Sequence, residues 1–325
     1  MTKQSTPSYS FFSIFTSLQK SLNNSLFADF TPRKKEKQLR NMMYFISSTF
    51  PMKRFFLLGI VFSAMLAATS CKQKGAESKE HFDKANDFLF KDDLENAKKE
   101  YGLAIEADTG NWKACYELAG VYELEGDFSN SLFYFARTVQ LNPKFAIGFY
   151  NKSNLDETMG DEKGSIKDLN KAIEIKKDFF SALLTRARKA YGTGHYKEAV
   201  ADLNNVINLR QDFYVAYSMR GSSKFKLGDF AGAIKDFDME IQLSPTHLMG
   251  YVSRSSANGE LKNYRAAIND INAALQLNPL WSQGYIYRGM YQIKLNCKDS
   301  ACGDFRMAYK LKNPDAESYS KEYCK

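Results

Sequence analysis

The chain has 325 residues, with 45 Lys and Arg against 37 Asp and Glu and a net charge of +8. The excess is local, because residues 1–70 hold nine basic groups against two acidic ones, leaving 36 against 35 over the remaining 255. That near-neutral body, with signs alternating as at Lys167-Asp168 and Lys235-Asp236, lacks the basic stripe of a nucleic-acid binder, so no nucleic-acid partner is expected.

Residues 1–51 are polar, carry the basic cluster Arg33-Lys34-Lys35-Glu36-Lys37 and show no repeat; they are expected to be an untranslated or disordered extension, with Met52 the true start. From Met52 the pattern changes. Lys53 and Arg54 form a positive region, Phe55 to Ala67 an apolar stretch, and Ala68-Thr69-Ser70 a run of small residues ending at Cys71. Sixteen residues from Phe55 to Ser70 are short for a membrane span, which needs about 20. The segment 52–70 resembles a bacterial lipoprotein signal peptide, although Ala68 stands where that family usually has Leu, Val or Ile. The resemblance implies that Cys71 is the lipidated amino terminus of the mature protein. Residues 71–77 are then a short tether, spanning at most about 25 Å when extended. By resemblance to envelope sorting in diderm bacteria, Lys72 after the cysteine implies the outer membrane; the periplasmic side is expected, with the cell surface the alternative.

Beyond the tether a small residue recurs every 34 positions without interruption, at Ala97, Ser131, Ser165, Ala199, Ala233, Ala267 and Ala301. Units begun nineteen residues earlier are 78–111, 112–145, 146–179, 180–213, 214–247, 248–281 and 282–315. Their eighth positions are all small: Ala85, Ala119, Ser153, Ala187, Gly221, Ser255 and Gly289. The twenty-fourth are large, from Tyr101 and Phe135 through Leu169, Leu203, Phe237 and Ile271 to Phe305, and the twenty-eighth run from Ile105 to Tyr309. Helices approach closely only where a side chain is nearly absent, so these columns predict seven packed helical hairpins. Gly126-Asp127-Phe128, Gly194-His195-Tyr196 and Gly228-Asp229-Phe230 supply the turns within hairpins, and Pro143, Pro245 and Pro279 fall between them.

The period and columns resemble the tetratricopeptide repeat family over 78–315. The resemblance implies an all-α, right-handed superhelical solenoid of seven hairpins. Its concave groove is then lined by positions two, five, nine and twelve of each first helix. Those columns place Tyr116, Tyr150, Asn154, Arg188 and Tyr191 at the centre, side chains suited to gripping an extended peptide, and Ile286, Met290 and Ile293 near the end. The equally open alternative is that several of these tyrosines cover neighbouring hairpins. The Lys and Asn clamp of the family's chaperone-tail binders is missing, since Tyr116, Gly120, Asn151, Ser181 and Thr185 stand where it would begin.

The last unit needs a cap, and residues 316–325 are long enough for a short C-terminal capping helix with Tyr319 and Tyr323 on one side. The chain's ending resembles that of envelope repeat proteins in which two cysteines bracket a final helix, implying a Cys302–Cys324 disulfide, with Cys297 a rival partner. Cys115 reads as a buried apolar side chain. The three histidines are scattered, so no metal is expected. No phosphate loop, nucleophile elbow or metalloprotease motif appears; neither catalysis nor a cofactor is expected. The expected function is a membrane-tethered scaffold or adaptor binding a protein or peptide in its groove. The alternative is an envelope module for glycan or peptidoglycan.

Overall fold

The computed structural model describes residues 52–324, so the extension 1–51 lies outside the described residues. These residues divide after Glu77 into two units. Fifteen helices and no strand occur among them. The first, α1, runs Met52–Phe90 and is followed by α2 Leu94–Ala107. Then come α3 Trp112–Leu124, α4 Phe128–Leu141, α5 Ala146–Thr158, α6 Glu162–Ile175, α7 Phe180–Gly192 and α8 Tyr196–Leu209. The series continues with α9 Tyr214–Lys226, α10 Phe230–Leu243, α11 Leu248–Glu260, α12 Tyr264–Leu277, α13 Ser282–Lys294 and α14 Lys298–Lys310, and ends at α15 Ala316–Tyr323.

From Trp112 onward every first helix starts at the first residue of its 34-residue unit. The first hairpin differs. Its helix begins at Met52 rather than near Ser78, so residues 71–77 continue a helix and rise about 10 Å instead of up to 25 Å extended. No helix of the described residues is long and apolar enough to cross a membrane.

The turns follow from backbone chemistry. Asp92, Gly126, Gly160, Gly194, Gly228, Lys262 and Asn296, each 34 apart, all have positive φ. In the second hairpin the Asp127 amide donates to Tyr122 O at 2.9 Å and the Gly126 amide to Glu123 O at 3.0 Å, a Schellman closure that requires that conformation. One residue later Asp93, Asp127, Asp161 and Asp229 cap the second helix, each accepting from the amide three residues on.

The packing columns lie where the period placed them. All seven anchors from Ala97 to Ala301 are completely buried, and so are the seven large residues one turn further along the same helices, Tyr101 to Phe305. At Gly221 an added Cβ would lie 2.7 Å from the Phe237 ring, and at Gly289 2.5 Å from Phe305, so glycine there is the space the phenylalanine occupies. The twenty-eighth column breaks at its end: Tyr309 is 61% exposed, because no eighth first helix follows for it to pack against. Instead α15 covers the last hairpin, with Tyr319 stacked on Phe305 at 5.5 Å. Cys302 and Cys324 are joined, with a Cα–Cα distance of 5.7 Å. Cys115 is fully buried, which pushes its thiol pKa up, and Cys297 is exposed and free.

Candidate functional site

The five expected groove residues separate into two groups. Tyr116 is structural: its hydroxyl accepts from Asn151 Nδ2 at 2.9 Å, its ring meets Phe145 edge-on at 5.0 Å, and burial raises its pKa. Tyr191 packs on the core around Leu203 and touches Tyr196 at 5.5 Å. Ile286, Met290 and Ile293 likewise leave the groove and join the core under α15.

Tyr150, Asn154 and Arg188 come together. They line a cavity of about 450 Å³ between α5 and α7, on the face made by first helices, together with Glu157, Ser181 and Thr185. The Tyr150 ring is held by Phe179 at 5.1 Å, leaving its hydroxyl free. Glu157 accepts an ion pair from Lys189 Nζ at 2.8 Å, whereas Arg188, on the next residue, is exposed and pairs with no described acid.

A second cleft, of about 550 Å³, opens on the opposite side between α6, α7 and α8, at the loosest of the junctions between hairpins. Its arginine and histidine are already engaged, and Glu198 at the lining is an exposed carboxylate. Arg186 donates to both oxygens of Asp202, at 2.8 and 2.7 Å, and its remaining nitrogen reaches Asn170 Oδ1 at 2.7 Å. His195 Nδ1 lies 2.9 Å from Thr193 Oγ1.

That arginine belongs to a ladder which sequence reasoning missed. Arg220 grips Asp236 and Asn204, Arg254 grips Asp270 and Asp238, and Arg288 grips Asp304 and Asn272, each Arg bridging its own second helix to that of the preceding hairpin. In the third hairpin Lys152 replaces arginine and pairs with Asp168 at 2.8 Å and Asp156 at 2.9 Å; burial opposes its charge, but these partners raise its pKa overall. Asp168 and Asp236, whose alternation in sign with Lys167 and Lys235 is the pattern of a solvated surface, are buried. The signal was present as Arg and Asp columns at 34-residue spacing, but a charge column does not say which way it faces.

Among the described residues no group of three His, Cys, Asp or Glu converges as metal ligands would. Residues 147–179, within the third hairpin, match the tetratricopeptide repeat family, and the fold is that of a tetratricopeptide repeat solenoid. No curated protein matches it in sequence. Among solved structures it is similar to the C-terminal part of a tetratricopeptide repeat protein from Cytophaga hutchinsonii, at 13% identity and TM-score 0.61, over 73% of this chain and 98% of that one. It is also similar to YrrB, described as having an unusual peptide-binding site, at 15% identity and TM-score 0.51 over 55% and 92% of the two chains. MamA matches at 19% identity and TM-score 0.50 over 53% and 94%. At these identities the likeness concerns the fold.

Proposed function

We propose that the protein is a non-catalytic scaffold that binds a protein or peptide partner on its first-helix face, centred on Tyr150, Asn154 and Arg188. The observation that carries this is the cavity between α5 and α7, where the Tyr150, Asn154 and Arg188 side chains make no hydrogen bond or ion pair with another described residue. A fold that spends its repeating residues on packing leaves recognition to the variable ones, and aromatic and arginine side chains are those that anchor interfaces. A photoreactive residue at Tyr150, introduced in intact cells, should crosslink one protein, while the same residue at Lys167 on α6 should not. Crosslinks to glycan strands, or retention on sacculi abolished by Arg188→Ala with Tyr150→Ala, would replace the adaptor by the glycan module.

The scaffold is further proposed to be an outer-membrane lipoprotein facing the periplasm, tethered through Cys71 and carrying the Cys302–Cys324 staple. The supporting observation is the run from Lys53 through the apolar stretch to Cys71. Metabolic labelling with a palmitate analogue should mark the protein, and Cys71→Ser should release it from membranes; an unlabelled wild-type chain would reject the tether.

A further inference from the structure

We propose that the pocket between α5 and α7 receives a side-chain carboxylate, so that the partner presents an acidic residue in an extended segment; this rests on the first-helix face being the binding surface. Charge is the first support. Glu157 is the one acid in the lining and is already neutralised by Lys189 at 2.8 Å, which leaves Arg188 as a cation with no counter-charge among the described residues. An uncompensated guanidinium beside neutral groups selects an anion, and its planar fork matches a carboxylate.

Hydrogen-bond inventory is the second. Tyr150, Asn154, Ser181 and Thr185 all carry donors into the cavity, and none makes a side-chain hydrogen bond to another described residue. Thr185 is only 7% exposed, yet its hydroxyl oxygen is not fully buried, which leaves it reachable from the cavity as a donor to a ligand. The outer cleft beside Arg186 is the contrast, because there the cation is fully committed to Asp202 and Asn170. A glycan hydroxyl would satisfy the donors but leave Arg188 without a counter-charge. A phosphate dianion would meet one free cation, a poor match for two negative charges.

Shape favours an acid within a chain over a chain end. On the hairpin-two side Gly120 has nothing within 4 Å of where a Cβ would lie, and on the hairpin-five side Ser218 and Ser222 are partly exposed, so an extended segment is able to continue in both directions. The acid would then enter between α5 and α7 while its backbone follows the first helices.

The test is an array of extended dodecapeptides of varied sequence. Each carries one central Asp or Glu, is paired with its Asn or Gln counterpart, and is made with a free and an amidated C-terminus. The array is probed with the full, oxidised chain. Acidic members should be retained at least about tenfold over their amide counterparts at low salt, whichever C-terminus they carry. Arg188→Gln, at an exposed position, should leave helical content unchanged in circular dichroism and abolish that preference, and Arg188→Lys should keep part of it. Equal retention of acid and amide, or a preference that survives Arg188→Gln, would overturn the carboxylate assignment while leaving the groove in place. A preference that follows only the free C-terminus would overturn the side-chain source. If no peptide is retained, the peptide-groove function itself fails.

Discussion

Hairpins four to seven and hairpin two close the same joint with opposite chemistry. In the later hairpins an arginine on the first helix grips an aspartate sixteen residues on, as Arg288 does Asp304. In hairpin two the matching positions are Leu118, which is buried, and Tyr134, which stacks on Tyr122 at 5.7 Å. Hairpin three, with Lys152 and Asp168, lies between. Both joints hold their helices at the same period, so the repeat demands volume and direction there, not polarity. What the arginine adds is a third arm to the previous hairpin, to Asn170, Asn204, Asp238 or Asn272, which ties neighbours in one register.

The largest expected effect comes from breaking one rung. Arg288→Ala leaves Asp304, 6% exposed, as a buried carboxylate with no cation, and should cost about 3 kcal/mol in chemical denaturation. Adding Asp304→Ala should recover most of that loss. Transplanting hairpin-two chemistry, as Arg288→Leu with Asp304→Tyr, should return stability to within about 1 kcal/mol of wild type. If the transplant is as damaging as the single change, polarity is required at the joint and the comparison is wrong.

Next in size is the staple, which shares α14 with the last rung. The bond closes a sequence separation of 22, and its removal by Cys324→Ser should cost about 2–3 kcal/mol, with the loss confined to α14 and α15 in hydrogen exchange. A loss that spread to hairpin two would show that the two ends are coupled more strongly than neighbour contacts allow.

A third change concerns the junction between hairpins five and six. Glu240 is fully buried in a column otherwise occupied by Ala104, Thr138, Ala172, Val206, Ala274 and Ala308. One carboxylate oxygen lies 2.8 Å from His247 Nδ1, in a column of Phe145, Phe179, Phe213 and Trp281, and the other has no hydrogen-bond partner. Gly250 leaves the room it needs. Glu240→Val with His247→Phe and Gly250→Ala copies the preceding junction of Val206, Phe213 and Ala216, and should raise stability by about 1–2 kcal/mol. A loss instead would mean that the apolar triad does not pack here as it does at the preceding junction, since an added Cβ at Gly250 lies 3.1 Å from Ile241.

The smallest effect belongs to the turns. Lys262 holds a φ of 61° where hairpins two to five place glycine, so Lys262→Gly should stabilise by about 0.5–1 kcal/mol in thermal melts. Gly194→Ala, at φ 80°, should lose a similar amount.

Much of the fold was legible because it repeats. Small residues facing large ones seven times over place each helix, and the structure starts six consecutive first helices at the first residue of their units. The site was legible only in part. Helical spacing put Tyr116, Tyr150, Asn154, Arg188 and Tyr191 on one expected face, but not which had partners already, and Asn151 and the Leu203 core claimed two of the five.

Sequence by itself determined the all-α array, its period, its turns and its cap, since these follow from local conformational preference and from volumes recurring at fixed spacing. Tertiary structure alone decided which charges are buried, which tyrosines pack and which side chains are left unpaired. The reason is that pairing depends on a neighbouring hairpin 16 to 36 residues away, as with Arg186 and Asn170 or Tyr291 and Ser255, and a one-dimensional pattern does not encode the direction in which those side chains meet.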